Sequence, residues 1–336
     1  MSGFVHSIKS ETNTLDQIMR AKRAINADRL LGCYAYATLS GFRSFDLAAK
    51  GDFWDVVSSR WLFGIDYGRT EPRALREIAA KPNSDVRIYD GADLVKINGF
   101  MPRRDFHAKV ALFENAKNKN HALVLGSGNF SHNGLLQSIE AGYSFISTHN
   151  DKIKRNIYPV KGELETLWQN ATPLSDIIDD YEKRYSEIID ARDVSCAPPK
   201  GAPSGFWIEA GHVTKNRGPL KPGNQIFAPN GFRKFFGLSG VAADSTLIGE
   251  IIFKTKRGER FKKNYRENDN KMEKLTLPMP EEAGFGVYDG KTLIFELDGE
   301  DCIVDAIEVD EFALLYGHRM YNIKRMAGGR RYGEFI

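Results

Sequence analysis

Cysteine is scarce in this chain. Its 336 residues include three, Cys33, Cys196 and Cys302, far apart and without metal-ligand spacing. That argues against a disulfide framework or a zinc module and reads as reduced thiols in a cytoplasmic protein. No apolar run approaches the roughly 20 residues of a membrane-spanning helix. The opening MSGFVHSIKSET lacks the apolar core and cleavage site of a secretory signal, so no membrane association is expected. No GxxxxGK[ST] phosphate loop occurs, so any use of ATP would belong to a partner. No carboxylate cluster of the kind a magnesium-dependent nuclease uses is evident, and neither a metal nor a cofactor is expected. Net charge is only +3, which points to no class of partner by itself.

What is present concentrates between Phe106 and Phe145. His107 and Lys109 stand two apart in an alternating run, a spacing that puts both on one face of a strand. A Lys/Asn-rich loop follows, then the apolar strand Ala122–Leu125. It ends in Gly126-Ser127-Gly128-Asn129, where glycines allow close approach of the backbone to a ligand. Glu140 opens a third strand, Glu140–Ile146. An imidazole, an ammonium, a carboxamide and a carboxylate suit phosphoryl transfer. The imidazole of His107 attacks phosphorus, Lys109 and Asn129 hold the non-bridging oxygens, and Glu140 orients the ring. Ser127 either donates to a phosphate or only caps its turn. His121 and His132 fall outside the pattern and read as surface residues.

The ordered set HxK, GSGN and Glu140 resembles the motif of the phospholipase D superfamily. Glu114 stands where that motif usually has Asp, five residues after the Lys. The variant resembles the phospholipase D-like type II restriction endonucleases of the BfiI and NgoFVII/NgoAVII type, over roughly residues 1–190 and more weakly beyond. The resemblance implies a metal-independent endodeoxyribonuclease working through a phosphohistidine. Such sites need two copies of the motif and this chain has one, so a homodimer sharing a composite site is expected. Some relatives act with a separate ATP-dependent helicase-like subunit and a cognate methyltransferase, and both are possible partners here.

The remaining pattern divides the chain. Helices are expected at Thr14 to Asp28, capped by Thr14 or Asn13, at Ser44–Lys50, Glu71 to Ala80, Pro159–Gln169 and Leu174–Ile189. Strands are expected at Leu30–Ala37, Trp61–Tyr67 and Val86–Tyr89. Alternation of this kind indicates an α/β domain, a mixed sheet flanked by helices, over residues 1–192. The Pro/Gly/Ser-rich stretch 193–205 reads as a linker. Residues 206–336 carry short apolar segments with frequent turns, which suggests an all-β barrel-like domain, with FRKFF (Phe232–Phe236) a short helix or turn.

Charge in this second part is segregated. Residues 215–274 hold fourteen Lys/Arg against six Asp/Glu, a balance of +8, and residues 281–311 hold one Lys against eleven, −10. Two segments read as basic loops, His212–Gln225 and Lys254–Lys274. Their Lys215, Arg217, Lys221, Lys254, Lys256, Arg257, Arg260, Lys262, Lys263 and Arg266, with Arg233, are candidate phosphate or guanine contacts. Asn216, Asn224, Gln225 and Asn264 are candidate adenine readers. RGPLKPGNQIFAPNGFRKFFG resembles the first arm of the plant B-three-type DNA-binding pseudobarrel, which implies sequence-specific binding of double-stranded DNA. The bland alternative is a solvated surface whose basic and acidic stretches face each other. Two other functions stay open: a phospholipase D-like phosphodiesterase acting on non-DNA substrates, and a DNA-binding regulator with an inactive site.

Overall fold

The computed structural model describes residues 2–6, 12–50, 53–192, 203–239, 246–268, 272–299 and 301–336. Cys196 and nearly all of the expected linker lie outside them. The chain divides into two compact units, Met1–Asp190 and Ala191–Ile336.

The first unit runs β1 (Ser2–His6), α1 (Thr14–Ala24), β2 (Arg29–Tyr34), α2 (Leu39–Ala49), α3 (Phe53–Val56), β3 (Ser58–Phe63), α4 (Pro72–Ala79), β4 (Ser84–Ile88), α5 (Gly91–Leu94), β5 (Lys109–Asn115), β6 (Asn120–Gly126), β7 (Glu140–Ser147), α6 (Asn150–Asn156), α7 (Tyr158–Asn170), β8 (Thr172–Pro173) and α8 (Ile178–Arg192). Strand order is β1-β7-β6-β5-β2-β3-β4-β8, with β2, β3 and β4 parallel and the other pairs antiparallel. Period-two alternation splits the strands between two cores. Leu30, Trp61, Phe63, Phe113 and Val124 pack with Ile18 of α1, Phe45 of α2 and Leu75 of α4. Leu31, Cys33, Leu62, Leu112 and Leu123 pack with Ile153, Leu164 and Trp168 of α6 and α7. The sheet is thus covered by helices on both faces, the α/β arrangement expected.

Local departures from the sequence reading have local causes. Asn13 caps α1 in a capping box with Asp16, but the helix stops at Ala24, before Asn26 at φ +48°. Thr38 caps α2 by accepting from Gly41 N, so that helix starts five residues before Ser44. β3 ends at Phe63 rather than Tyr67, because the chain turns at Gly64 and Tyr67 takes φ +57°. His121 and His132, expected at the surface, are 5% and 1% exposed. The partner of His121 faces it across the β5–β6 hairpin, and that of His132 comes from a distant segment. His121 Nε2 lies 3.8 Å from Glu114 Oε2, and His132 Nδ1 lies 2.8 Å from Ser44 Oγ.

The second unit runs β9 (Gly205–Glu209), β10 (Gln225–Ala228), β11 (Leu247–Lys254), β12 (Arg260–Glu267), β13 (Glu273–Thr276), β14 (Thr292–Asp298), β15 (Asp301–Ile307), α9 (Val309–Tyr316), β16 (Met320–Arg325) and β17 (Arg331–Phe335). Strand order is β10-β13-β12-β11-β15-β14-β9-β17-β16, mixed through the parallel pair β11·β15. The unit is not wholly β. Phe312 of α9 packs with Trp207, Ile294, Met320 and Phe335 on one side of the sheet, while Phe206, Phe253, Tyr265, Leu275 and Phe295 form the other core. Phe232–Phe236 is a 3-10 turn.

Lys254–Lys274 is not a loop as expected, since it contains all of β12 and the start of β13. Tyr265 is buried on β12 and packs in the second core with partly buried Phe261, a period-two signal that the dense charge concealed. One arginine ties strands together. The Arg330 guanidinium donates to the Glu209 and Ala210 carbonyls at the end of β9 and to the Phe227 carbonyl of β10.

Candidate active site

Antiparallel pairing gathers the motif at one edge of the first sheet. Tyr34, the last residue of β2, pairs with Lys109, the first of β5. Val110 pairs with Leu125 near the end of β6, and Gly126 pairs with Gly142 near the start of β7. Strands about 4.8 Å apart therefore bring His107, Lys109, Ser127, Asn129 and Glu140 to the same end. β1, which the sequence reading missed, finishes there too, with His6 in register opposite Glu140.

Lys109 is buried, and its Nζ lies 3.1 Å from His107 Nδ1 and 3.1 Å from the His107 carbonyl oxygen. The ammonium thus orients the exposed imidazole, a task the sequence reading gave to Glu140. Burial pushes the Lys109 pKa below the ordinary lysine range; the nearby Arg69 charge adds to that shift and Glu140 opposes it.

Glu140 is held from the side. The Ser127 hydroxyl donates to Glu140 Oε2 and accepts from Ala141 N at 3.0 Å, while Ser127 N donates to the Ala141 carbonyl at 3.0 Å. Beside the two roles read from the sequence, a phosphate donor or a turn cap, the contacts of Ser127 serve a third, holding the Glu140 carboxylate. Asn129 is half-buried, and its Oδ1 is enclosed with no hydrogen-bond partner among the described residues. A buried amide oxygen without a donor calls for a donor arriving from outside, while the Nδ2 of the same amide is the atom able to donate to a phosphate oxygen.

Two glycines set this turn. A Cβ on Gly128 would lie 2.3 Å from the Gly134 carbonyl oxygen, and one on Gly134 would lie 2.6 Å from Asn129 N. Only bare backbone lets the GSGN turn nest against the π-helical turn Asn133–Gln137. Glu114 lies at the other end of β5, roughly 16 Å along the strand from Lys109. There it pairs with Lys161 at 2.6 Å, away from the chemistry.

The loop after β3 also reaches this edge, and the sequence reading passed over it. Asp66 Oδ2 accepts from Phe106 N at 2.8 Å, and Tyr67 OH donates to Asp105 Oδ1 at 2.9 Å. The available signal was Gly64 and Gly68 following an apolar run, a mark of a turn at a strand end. Among the described residues, no group of three or more His, Cys, Asp or Glu is placed to hold a metal ion. No described helix is long and apolar enough to cross a membrane.

No protein-family model and no curated protein matches the chain. Among solved structures, NucT from Helicobacter pylori is similar at 16% identity, over 51% of this chain and 98% of that one, with a TM-score of 0.37. The phospholipase D family member Nuc from Salmonella typhimurium is similar at 14% identity, over 51% and 98%, with a TM-score of 0.36. Yeast tyrosyl-DNA phosphodiesterase follows at 14% identity, over 43% and 32%, with a TM-score of 0.24. Likenesses this weak carry no functional argument, so the site's own side chains must.

In the second unit the proposed DNA-contact residues fall into three groups. Some build the fold. Asn224 is buried, donates to the Leu277 carbonyl at 2.8 Å and accepts from Asn216 Nδ2 at 2.8 Å. Arg233 pairs with Glu273, itself 1% exposed, and Gln225 Nε2 lies 3.5 Å from Thr276 Oγ1. Others sit in ion pairs: Arg217 with Glu281 at 2.5 Å, Lys254 with Asp298 at 3.0 Å, Lys256 with Asp305 at 2.5 Å, Arg260 with Asp301 at 2.5 Å and Lys262 with Glu250 at 2.6 Å. The basic and acidic stretches do face each other in part. The rest are Lys215 and Lys221, both exposed, Arg257 against Gly284, Lys263 and Asn264 on β12, and Arg266 with its NH1 3.3 Å from Thr246 Oγ1.

Proposed function

We propose that the first unit is a phosphodiesterase acting through a covalent phosphohistidine. We further propose that the chain is a restriction-type endodeoxyribonuclease whose second unit, B-three-like in its use of cations, reads the target. The observation that carries the first statement is the 3.1 Å contact of Lys109 Nζ with His107 Nδ1, at the sheet edge that also holds the Ser127–Glu140 pair and the Asn129 amide.

With Nδ1 turned to Lys109, Nε2 is the nitrogen left to attack. When phosphate oxygens draw the ammonium, the ring proton can move to Nδ1 and free the Nε2 lone pair. Nε2 bonds to phosphorus, and the P–O bond to the leaving oxygen breaks. That oxygen takes a proton from His107 of a second copy. The now neutral second imidazole then accepts a proton from water, whose oxygen displaces Nε2. Lys109 from each copy offsets the charge on the equatorial oxygens, and Asn129 Nδ2 donates to them. No step calls for a metal.

Plasmid cleavage in excess EDTA tests this directly. Activity should persist, and complete loss that magnesium restores would overturn the scheme. His107→Ala should cut at background while retaining duplex binding. A protein that sediments as a monomer under conditions where it cleaves would remove the shared site.

A further inference from the structure

The loop between β3 and α4 holds groups that the chemistry above leaves unused. Tyr67 is forced to φ +57°, a conformation bulky residues avoid, and its place is fixed from outside. The Asp66–Phe106 and Tyr67–Asp105 hydrogen bonds tie the loop to the two residues that precede His107. Close packing adds to them: a Cβ on Gly64 would lie 2.7 Å from the Ala35 carbonyl oxygen and 3.2 Å from the Phe106 ring. The loop is thereby held rigidly against the segment that carries the nucleophile.

It presents Arg69. This guanidinium is exposed, lies 5.7 Å from the centroid of the Tyr67 ring, and has no carboxylate within ion-pair distance among the described residues. Its charge is felt at Lys109. The two like charges repel, an effect that Glu140 offsets in part at Lys109, and negative charge brought by a ligand relieves it. A guanidinium backed by an aromatic face offers a planar, preset fork to phosphate oxygens. Arg103 and Arg104, both exposed, lie four and three residues before His107 and add positive charge to the same segment.

We infer that Arg69, backed by Tyr67, binds the phosphate adjacent to the scissile one, so that the substrate is a polynucleotide strand and not an isolated diester. Lys109, buried and in contact with His107, serves the reacting phosphorus, while Arg69, exposed and on a separate loop, serves its neighbour. This assignment rests on the phosphodiesterase reading of His107.

Two substrates separate the roles: a fluorescent DNA oligonucleotide, and bis(4-nitrophenyl) phosphate, which has one phosphate only. In the full-length protein, Arg69→Ala should lower kcat/KM on DNA at least about tenfold more than on the small diester, and Arg69→Lys should recover part of the loss. DNA binding measured in a His107→Ala background should lose about one unit of slope against log salt when Arg69→Ala is added. Equal losses on both substrates would overturn the assignment, as would an unchanged DNA rate or an unchanged salt slope. If the wild type cleaves neither substrate, or His107→Ala still cleaves, the phosphodiesterase reading itself fails. The salt slope still decides whether Arg69 contacts the strand.

Discussion

In the first unit Lys109 and Arg69 stand at the sheet edge with no carboxylate of the described residues inside ion-pair distance. In the second, Arg217, Arg233, Lys254, Lys256, Arg260 and Lys262 each hold one. The difference teaches how to read a basic residue. A cation kept without a counter-ion beside a nucleophile is poised for a charge that comes from outside. A cation already paired is either part of the fold or a surface group that exchanges one anion for another. Exposure separates those two. The Lys262–Glu250 side chains are 63% and 46% exposed and such pairs contribute about 0–1 kcal/mol, so a phosphate can replace the glutamate. Glu273 is 1% exposed and accepts from Gly231 N, Arg233 N, Arg233 NH1 and Tyr265 OH, which makes Arg233 structural.

The comparison can be broken at its strongest point first. Lys109→Met should lower cleavage about 10²–10³-fold, as loss of one preorganised donor does, without a matching loss of thermal stability. An active variant would place the charge that matters elsewhere. Glu273→Ala should destabilise the chain by about 3–5 kcal/mol in urea unfolding, because it strands an arginine and three further donors. A loss under 1 kcal/mol would put Glu273 with the surface pairs.

Lys291 sharpens the contrast by pH. It is 1% exposed and donates to the Phe285 carbonyl at 2.8 Å, and burial pushes its pKa down to about 8. Between about pH 8 and the ordinary lysine range, the unfolded chain keeps a proton that the folded chain has released. Stability should therefore rise with pH across that window, by up to about 1.4 kcal/mol per unit. Urea titrations at pH 7.5 and 9.5 should show a rise that Lys291→Met abolishes, and equal slopes in the two proteins would refute it. The smallest effect belongs to Lys262→Ala. It should change stability by less than about 1 kcal/mol, weaken duplex binding uniformly across sequences and reduce the salt slope by about one.

The sequence made the site legible where chemistry and spacing coincide. HxK, GSGN and Glu140 fall at the ends of adjacent strands, and turn glycines mark where the ends meet. The choice of partner inside the site was not legible. Ser127 reaches Glu140 across two strands, through a register that no local pattern encodes, and the i,i+2 spacing of His107 and Lys109 does not say that the ammonium turns to the ring. The same limit hid the burial of His121 and His132, whose partners Glu114 and Ser44 come from other elements. It also hid Arg69, since a lone arginine in a turn has no periodicity. In the second unit, lysines dense enough to suggest a loop masked the Phe261/Tyr265 alternation of β12. Charge reports on one face of a strand, while folding is decided by the other.

The Arg330 side chain has a consequence for solubility. β10 stands at the margin of its sheet, bonded along one side to β13 and touching Thr214 on the other only through an isolated bridge. A margin of that kind is a template on which a stray chain can add a strand. By clasping the Phe227 carbonyl while anchored on β9, one guanidinium acts as a guard against such recruitment, so its loss would show as self-association before any loss of the fold itself.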